Sequence, residues 1–138
     1  MNREEIQTIL PHRASMLLLD EAYLDEAGDA RGRLLITGRE FFLDGHFPGN
    51  PVVPGVIQCE IIAQTACMLL QNEMRGATPL YAGIDKARFR RMVKPGETIE
   101  TSCRLLRQKL NVYVVAGEAR VDGALCASGE FTFILSKG

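Results

Sequence analysis

Residues 56 to 74 constrain the fold of this chain most strongly, because they form a long run without glycine or proline. The run is long enough for about five turns of α-helix. Its apolar residues cover the whole helix circumference, which is typical of a helix surrounded by protein. They are Val56, Ile57, Cys59, Ile61, Ile62, Ala63, Ala66, Cys67, Met68, Leu69 and Leu70. We therefore predict a long central helix that is buried on all sides.

Segments typical of β-strands lie on both sides of this helix. They are rich in β-branched, aromatic and alternating residues, and they span 16–25, 31–38, 79–91, 97–109, 111–121 and 125–136. Asp122-Gly123, between the last two, is a strong hairpin-turn signal. A short helix is also predicted over residues 3–10, with Asn2 as its cap. This order predicts an α+β fold in which an antiparallel sheet wraps around the helix.

The length and charge of the chain exclude several functional classes. Its 138 residues predict a single domain, 1–138, with one core. The formal net charge of -1 argues against a nucleic-acid-binding protein, which would usually be basic. The longest apolar stretch, Val56 to Leu70, is interrupted by Gln58, Glu60 and Gln64, so no membrane span is expected.

The histidines, the cysteines and the N-terminus give further expectations. The first ten residues contain acids and lack an apolar core, so no secretory signal is expected. The four cysteines show no CxxC spacing, which favours a reduced, cytoplasmic protein over a disulfide framework. With only two histidines and no cysteine pair beside them, we expect no metal site.

Glu60 is the most informative candidate for chemistry. It lies about one and a half turns into the predicted helix, where an unpaired carboxylate would be costly. Gln64 follows at i+4 and therefore shares its helix face. Burial is expected to raise the pKa of such a carboxyl and to suit it for general-acid catalysis. A structural alternative stays open at this point, in which Glu60 is simply satisfied by Gln64 and a backbone amide.

His46 and Gly55 complete a candidate catalytic set. His46 lies in a loop between glycine and proline residues, which would hold a general base at a fixed position. A lone loop histidine can equally be a surface or hydrogen-bonding residue. Gly55 opens the predicted helix, so its amide N–H is unused by the helix and lies at the positive end of the dipole. Base, acid and oxyanion donor thus fall within fifteen residues.

These residues stand in a segment that closely resembles a known family signature. The segment 45–56, GHFPGNPVVPGV, with Glu60 and Gln64 after it, resembles the FabZ-type 3-hydroxyacyl-[acyl carrier protein] dehydratases. Residues 10–13 (LPHR), 81–91 (YAGIDKARFRR), 95–96 (PG) and 121–123 (VDG) are similar to further family motifs. The resemblance covers nearly the whole chain in order.

The resemblance implies a hot-dog fold, a long helix held in a curved antiparallel sheet. It implies that His46 removes the C2 proton of a 3-hydroxyacyl thioester while Glu60 protonates the departing hydroxyl, giving a trans-2-enoyl product. Gly55 would polarise the thioester carbonyl, and Phe47, Gln64 and Tyr81 are further candidates for substrate binding. Tyr81 is either part of an acyl tunnel or a core aromatic.

The implied partners are acyl carrier protein and a second copy of the chain. The site's histidine and glutamate would come from different subunits of a homodimer, with a trimer of dimers as the further assembly. No cofactor or metal is implied, since the phosphopantetheine arm belongs to the carrier protein.

A basic cluster in residues 86–94 offers a second candidate surface. It contains Lys86, Arg88, Arg90, Arg91 and Lys94. Strand alternation predicts Lys86, Arg88 and Arg90 on one face, as a landing patch for the acidic carrier protein. The alternative is a solvated strand edge that discourages strand addition.

Three other functions compete with simple dehydration. The first is a hot-dog thioesterase, and the second is a dehydratase that also isomerises the double bond. The third is a non-catalytic subunit that binds acyl carrier protein. The sequence leaves open the acyl chain length and the choice between fatty-acid and specialised polyketide or polyene pathways.

Overall fold

The computed structural model describes residues 1–6, 17–40, 43, 52–71 and 77–137, without the side chains of Thr78, Tyr81 and Lys137. Helix α1 spans Arg3–Ile6 and helix α2 spans Gly55–Ala66, continued by a 3₁₀ helix at Cys67–Leu70. The strands are β1 (Glu21–Leu24), β2 (Ala30–Leu35), β3 (Ala77–Phe89), β4 (Thr98–Lys109), β5 (Val112–Val121) and β6 (Ala124–Lys137).

The six strands form one sheet in the order β1-β2-β4-β5-β6-β3, and all neighbouring strands are antiparallel. Burial alternates along β5, from half-buried Val112 to buried Val121, so that one face of the sheet packs on the core. Helix α2 packs on that face and contacts β2, β4, β5 and β6. This arrangement confirms the predicted α+β hot-dog fold.

Helix α2 begins at Gly55, one residue before the predicted start. It becomes a 3₁₀ helix at Cys67, before the predicted end at residue 74. It begins directly after Pro54, whose carbonyl accepts hydrogen bonds from the amides of Ile57 and Gln58. The α-helix ends at Ala66, where the backbone tightens into the 3₁₀ turn. Residues 72–74 of the predicted helix lie outside the described residues. The prediction of all-round burial is wrong in the first turn, because Val56 is 75% exposed.

Two glycines let the helix approach the sheet closely. A Cβ added at Gly117 of β5 would lie 2.3 Å from Cγ2 of Ile62. A Cβ added at Gly32 of β2 would lie 2.5 Å from Oγ1 of Thr65, which bonds in turn to Thr101 Oγ1 at 2.6 Å. The absence of side chains at these two positions therefore sets the distance between helix and sheet.

The segment before β1 is not the strand that the sequence predicts from residue 16. Leu17, Leu18 and Leu19 are buried, but β1 begins only at Glu21. The Arg3 guanidinium donates to the carbonyls of Leu17 and Leu19, and the Leu18 amide donates to Gln64 Oε1. Side chains thus take the backbone groups that a neighbouring strand would have taken.

The hairpin turns follow local sequence in one case and oppose it in the other. Asp122 and Gly123 have φ of 49° and 82°, as the predicted two-residue turn between β5 and β6 requires. Leu110, in the turn between β4 and β5, has φ 56° although leucine disfavours that region. Leu110 is also 84% exposed, so the turn gains little burial from it.

Candidate functional site

The predicted general base, His46, is not among the residues that the structure describes. His46 and Phe47 both fall within residues 44–51, outside the described residues. Tyr81 is placed by its backbone alone, in β3 opposite Phe133 of β6. Its predicted place in an acyl tunnel therefore stays a prediction.

Gly55 lies at the N-terminus of α2, as predicted for an oxyanion donor. Because Pro54 O accepts the amides of Ile57 and Gln58, the Gly55 amide precedes the first bonded turn of the helix. The Phe89 ring at the end of β3 packs beside it. A Cβ added at Gly55 would lie 3.0 Å from Phe89 Cε1, so a side chain at this position would press on the ring.

Glu60 and Gln64 are joined as the i+4 spacing predicts. Gln64 Nε2 donates to Glu60 Oε1 at 3.1 Å, and Gln64 is 1% exposed. Gln64 Oε1 accepts the Leu18 amide at 2.8 Å. Glu60 itself is half-buried, so its carboxyl lies at the boundary of the core and not within it. Sequence reasoning missed Leu18, because no local pattern links positions 46 residues apart.

Cys67 extends this face of the helix by one more turn. The residue follows Glu60 at i+7, and its thiol is buried. Burial raises the pKa of the Cys67 thiol to about 12, and the negative charge of Glu60 adds to the shift. The thiol is therefore neutral at physiological pH and is not a nucleophile there.

The basic cluster does not follow the strand alternation that the sequence predicts for it. Lys86 has φ 56° and lies in a bulge, since Asp85 pairs with Glu130 while Arg88 pairs with Ser128. The extra residue breaks the alternation, so the prediction that Lys86, Arg88 and Arg90 alternate onto one face is wrong.

The ion pairs also divide the cluster. Lys86 Nζ lies 3.2 Å from Glu130 Oε2, and an Arg91 guanidinium nitrogen lies 2.5 Å from Glu97 Oε2. Arg88 and Arg90 are exposed, and the Arg88 guanidinium donates to the Ala87 carbonyl. Of the three residues predicted for the landing patch, Arg88 and Arg90 thus carry the charge most available to a partner.

A groove of about 490 Å³ lies on the outer face of the sheet, across β4, β5 and β6. Ser102, Gly117, Gly129 and the paired Lys86 and Glu130 are among its lining residues. Neither Gly55 nor Glu60 lines it, so this groove is not the candidate site.

Of the helices in the described ranges, none is long and apolar enough to cross a membrane.

Known proteins similar to this chain agree on one family. The FabA-like domain family matches residues 10–130. A relative from Latilactobacillus sakei subsp. sakei (strain 23K) is 41% identical over 138 residues, which cover 98% of this chain and 99% of the relative. A relative from Caldicellulosiruptor bescii is 40% identical over 137 residues, with 97% and 98% covered. Both relatives bear the name 3-hydroxyacyl-[acyl-carrier-protein] dehydratase FabZ.

Solved structures agree on the fold. A chain of the dehydratase heterocomplex ApeI:P from Xenorhabdus doucetiae superposes with a TM-score of 0.80 at 19% identity, covering 94% of this chain and 89% of that chain. At that identity the likeness bears on the fold alone, whereas the sequence relatives bear on the family. The chain belongs to the FabZ family of 3-hydroxyacyl-[acyl-carrier-protein] dehydratases.

Proposed function

We propose that this chain removes water from a 3-hydroxyacyl thioester of acyl carrier protein and yields the trans-2-enoyl thioester. His46 takes the C2 proton as general base, and Glu60 protonates the departing 3-hydroxyl as general acid. The observation that carries this proposal is the held carboxyl of Glu60, five residues from the amide that opens α2. Family membership supports the reaction class.

The spacing of Gly55 and Glu60 suits a 3-hydroxyacyl thioester. Five residues of α-helix rise about 7.5 Å along the helix axis. The reach of the Glu60 side chain makes the distance between its carboxyl and the Gly55 amide shorter than this rise. The thioester oxygen at the Gly55 amide and the 3-hydroxyl at Glu60 then belong to one bound substrate. A single oxyanion donor typically lowers a barrier by about 2.7–4 kcal/mol. The amide would stabilise the negative charge that develops when the weakly acidic C2 proton leaves.

The proposed partner of Glu60 is His46 of a second subunit. Strand β3 supports a dimer, because among the described strands it pairs with β6 alone, and no described strand lies along its other edge over its 13 residues. Leu80 and Ile84 on this strand are 50% and 42% exposed. A long, apolar open edge is a template for strand pairing between chains. We therefore propose an edge-to-edge homodimer, with a trimer of dimers as the further assembly.

The carrier protein would dock beside the site. Arg88 and Arg90 flank Phe89 in the chain, and the Phe89 ring packs on Gly55, so both arginines are one residue away from the contact with the proposed oxyanion donor. Lys86, already paired with Glu130, would contribute less than the sequence suggests. An acidic carrier would be steered by this charge, and its association would weaken with salt. The phosphopantetheine arm would enter with the carrier, so the enzyme would need no cofactor of its own.

We also propose that residues 1–138 act as one catalytic domain in the cytoplasm. One sheet containing all six described strands supports the single domain. All four cysteines are buried thiols, which fits a reducing compartment.

Turnover of His46→Ala and Glu60→Gln tests the proposed roles. Each variant is expected to be at least about a hundredfold slower, since positioned proton transfer contributes at least that much. Loss of water from 3-hydroxyacyl carrier-protein substrates is followed by mass spectrometry. Glu100→Gln is a matched control, because Glu100 is exposed on β4 and far along the sheet from β3. Near-normal rates in a folded His46 or Glu60 variant would contradict the roles.

The same assay separates the competing functions. Release of free carrier thiol without enoyl product would indicate a thioesterase. Binding of the acyl carrier without any turnover would indicate a non-catalytic subunit, and a shifted double bond would add isomerisation. A series of acyl chain lengths in this assay also measures substrate preference.

The docking patch has a test of its own. Arg88→Glu and Arg90→Glu are expected to raise KM for the carrier-bound substrate, while KM for a short pantetheine thioester stays unchanged. Lys109→Glu, an exposed cation in a distant part of β4, is the charge-matched control. An equal effect of all three substitutions would assign the change to overall charge and not to this patch.

A further inference from the structure

The backbone just before α2 is bonded to a loop from another part of the chain. Val53 N donates to the Val93 carbonyl at 2.8 Å, and both valines are buried. Pro54 alone separates Val53 from Gly55, and its ring fixes one of the few backbone torsions between them. The position of the Gly55 amide therefore depends on where the Val93 carbonyl is held.

Val93 lies in the segment 91–97, which connects the end of β3 to the start of β4. The last four residues of this segment form a tight turn. Glu97 N donates to Lys94 O at 3.2 Å, and Gly96 has a φ of 89°, which is the geometry of a type II turn. This turn fixes one end of the segment, and the other end needs a contact of its own.

The Glu97 side chain supplies that contact. Its Oε1 accepts the Lys94 amide at 2.8 Å, and its Oε2 accepts the Arg91 guanidinium at 2.5 Å. Arg91 and Glu97 are the two ends of the segment, so their ion pair closes it with Val93 between them. The bond from Arg91 lowers the pKa of the Glu97 carboxyl from its usual value, so the carboxyl is charged at neutral pH.

We propose that Glu97 is a positioning residue, which holds the Val93 carbonyl and through it the Gly55 amide in place for the thioester oxygen. This inference rests on the proposed function, in which the Gly55 amide stabilises the developing negative charge. Both carboxylate oxygens of Glu97 are bonded within the segment, so Glu97 acts through the backbone and not by touching substrate. Because a misplacement of about 1 Å can cost about a hundredfold in rate, a small shift of the segment is expected to reach turnover.

Glu97→Gln is the informative substitution. It keeps the size of the side chain and an oxygen for the Lys94 amide, but it removes the negative charge that holds Arg91. Turnover is measured on a short pantetheine thioester, so that carrier docking does not enter. The kcat is expected to fall about tenfold, as for a modest misplacement of a reacting group. The KM is expected to stay within about twofold of wild type, since the amide acts mainly in the transition state.

Amide hydrogen exchange, followed by NMR, gives a second readout at the atom concerned. The bond to Val93 protects the Val53 amide, and Glu97→Gln is expected to speed its exchange at least about fivefold through local opening. The amide of Val115, in the buried centre of the sheet, is expected to keep its wild-type rate. Unequal effects at the two amides distinguish a local release from a loss of global stability.

Glu118→Gln is the matched control. Glu118 accepts the Arg120 guanidinium at 2.9 Å, and the two side chains are about as exposed as those of Glu97 and Arg91. The control is expected to keep wild-type kcat and wild-type exchange at Val53. Arg91→Ala should reproduce Glu97→Gln, and the double variant should be no slower than either single variant, because the two residues act as one ion pair.

Three results would overturn the inference. Wild-type kcat in a folded Glu97→Gln variant would show that Glu97 does not position the site. A reduced kcat with unchanged exchange at Val53 would show that Glu97 acts by another route. A raised KM with unchanged kcat would show that Glu97 contacts substrate. Failure of the proposed function is distinguishable, because Glu60→Gln would then keep wild-type turnover, whereas the exchange of Val53 does not depend on the reaction.

Discussion

Gly117→Ala tests how the sheet sets the position of the catalytic helix. The new Cβ would lie 2.3 Å from Ile62 Cγ2 and 3.3 Å from Cys103 Sγ. Carbon atoms in good contact stand about 3.5–4.0 Å apart, so α2 or the strand must move by more than about 1 Å. Gly117 does not have positive φ, and alanine therefore brings no backbone strain.

Two opposing effects set the expected change in the free energy of unfolding of Gly117→Ala. Overpacking in a well-packed core typically costs about 1–3 kcal/mol. Replacing glycine with alanine lowers the entropy of the unfolded chain and returns about 0.4–1 kcal/mol. We expect a net loss of about 1–2 kcal/mol in the free energy of unfolding. For a chain of this length, that loss corresponds to a fall in Tm of roughly 3–8 °C.

Urea unfolding of wild type and variants at one protein concentration measures the effect. Gly129→Ala is the matched control, because Gly129 pairs with Gly117 across the strands and its added Cβ would lie no closer than 3.4 Å to any neighbour. We expect the control to stay within about 0.5 kcal/mol of wild type. Equal stabilities of the two alanine variants would refute the close-approach reasoning.

A double-mutant cycle tests whether Ile62 is the residue that the added methyl group of Gly117→Ala contacts. Ile62→Ala alone is expected to cost about 2–5 kcal/mol, as a buried large-to-small change. Ile62→Ala also removes the methyl that the Gly117→Ala side chain would meet. The double variant should therefore lose less stability than the sum of the single variants, by more than about 0.5 kcal/mol. Strict additivity would mean that the clash is relieved elsewhere.

Three further predictions concern other parts of the structure. Leu110→Gly should raise the free energy of unfolding by about 0.5–1 kcal/mol in urea unfolding, because the left-handed φ of 56° costs leucine more than glycine loses in entropy; a destabilised variant would contradict this. Thr101→Val should lose about 1 kcal/mol in the same assay, since it removes the buried bond to Thr65; wild-type stability would show that the bond contributes nothing. The raised pKa of the Cys67 thiol, from its usual 9.0 to about 12, predicts stability that is present below pH 9 and falls as pH rises toward 12. Cys67→Ala should weaken that fall, and an unchanged slope would reject the assignment.

Features that depend on local pattern could be predicted from the sequence. The alternation of apolar residues along β5 reports the buried face directly, and Asp122-Gly123 supplies the positive φ that its turn needs. The i+4 spacing of Glu60 and Gln64 follows from helix geometry, and their hydrogen bond confirms it. For the same reason the α+β arrangement of one helix and an antiparallel sheet could be predicted from the pattern, whereas the hot-dog fold was implied by the family resemblance.

Features that depend on contacts between distant parts of the chain could not be predicted from the sequence. One extra residue in β3 turns Lys86 out of register, and no residue type marks that bulge. The segment 17–19 looks like a strand because it is apolar, yet Arg3 and Gln64 take its backbone groups. The orientation of Gln64 likewise depends on Leu18, which no spacing rule connects to the helix. The proposed role of His46 stays a prediction.

Subunit mixing tests the central claim, a dehydratase site shared between two copies of the chain. Inactive His46→Ala and Glu60→Gln proteins are exchanged, and water loss from a 3-hydroxyacyl carrier-protein substrate is measured. Random exchange makes half of the dimers hybrid, each with one intact and one doubly altered site, so turnover should recover to roughly a quarter of wild type. No recovery after proven exchange would contradict the shared site.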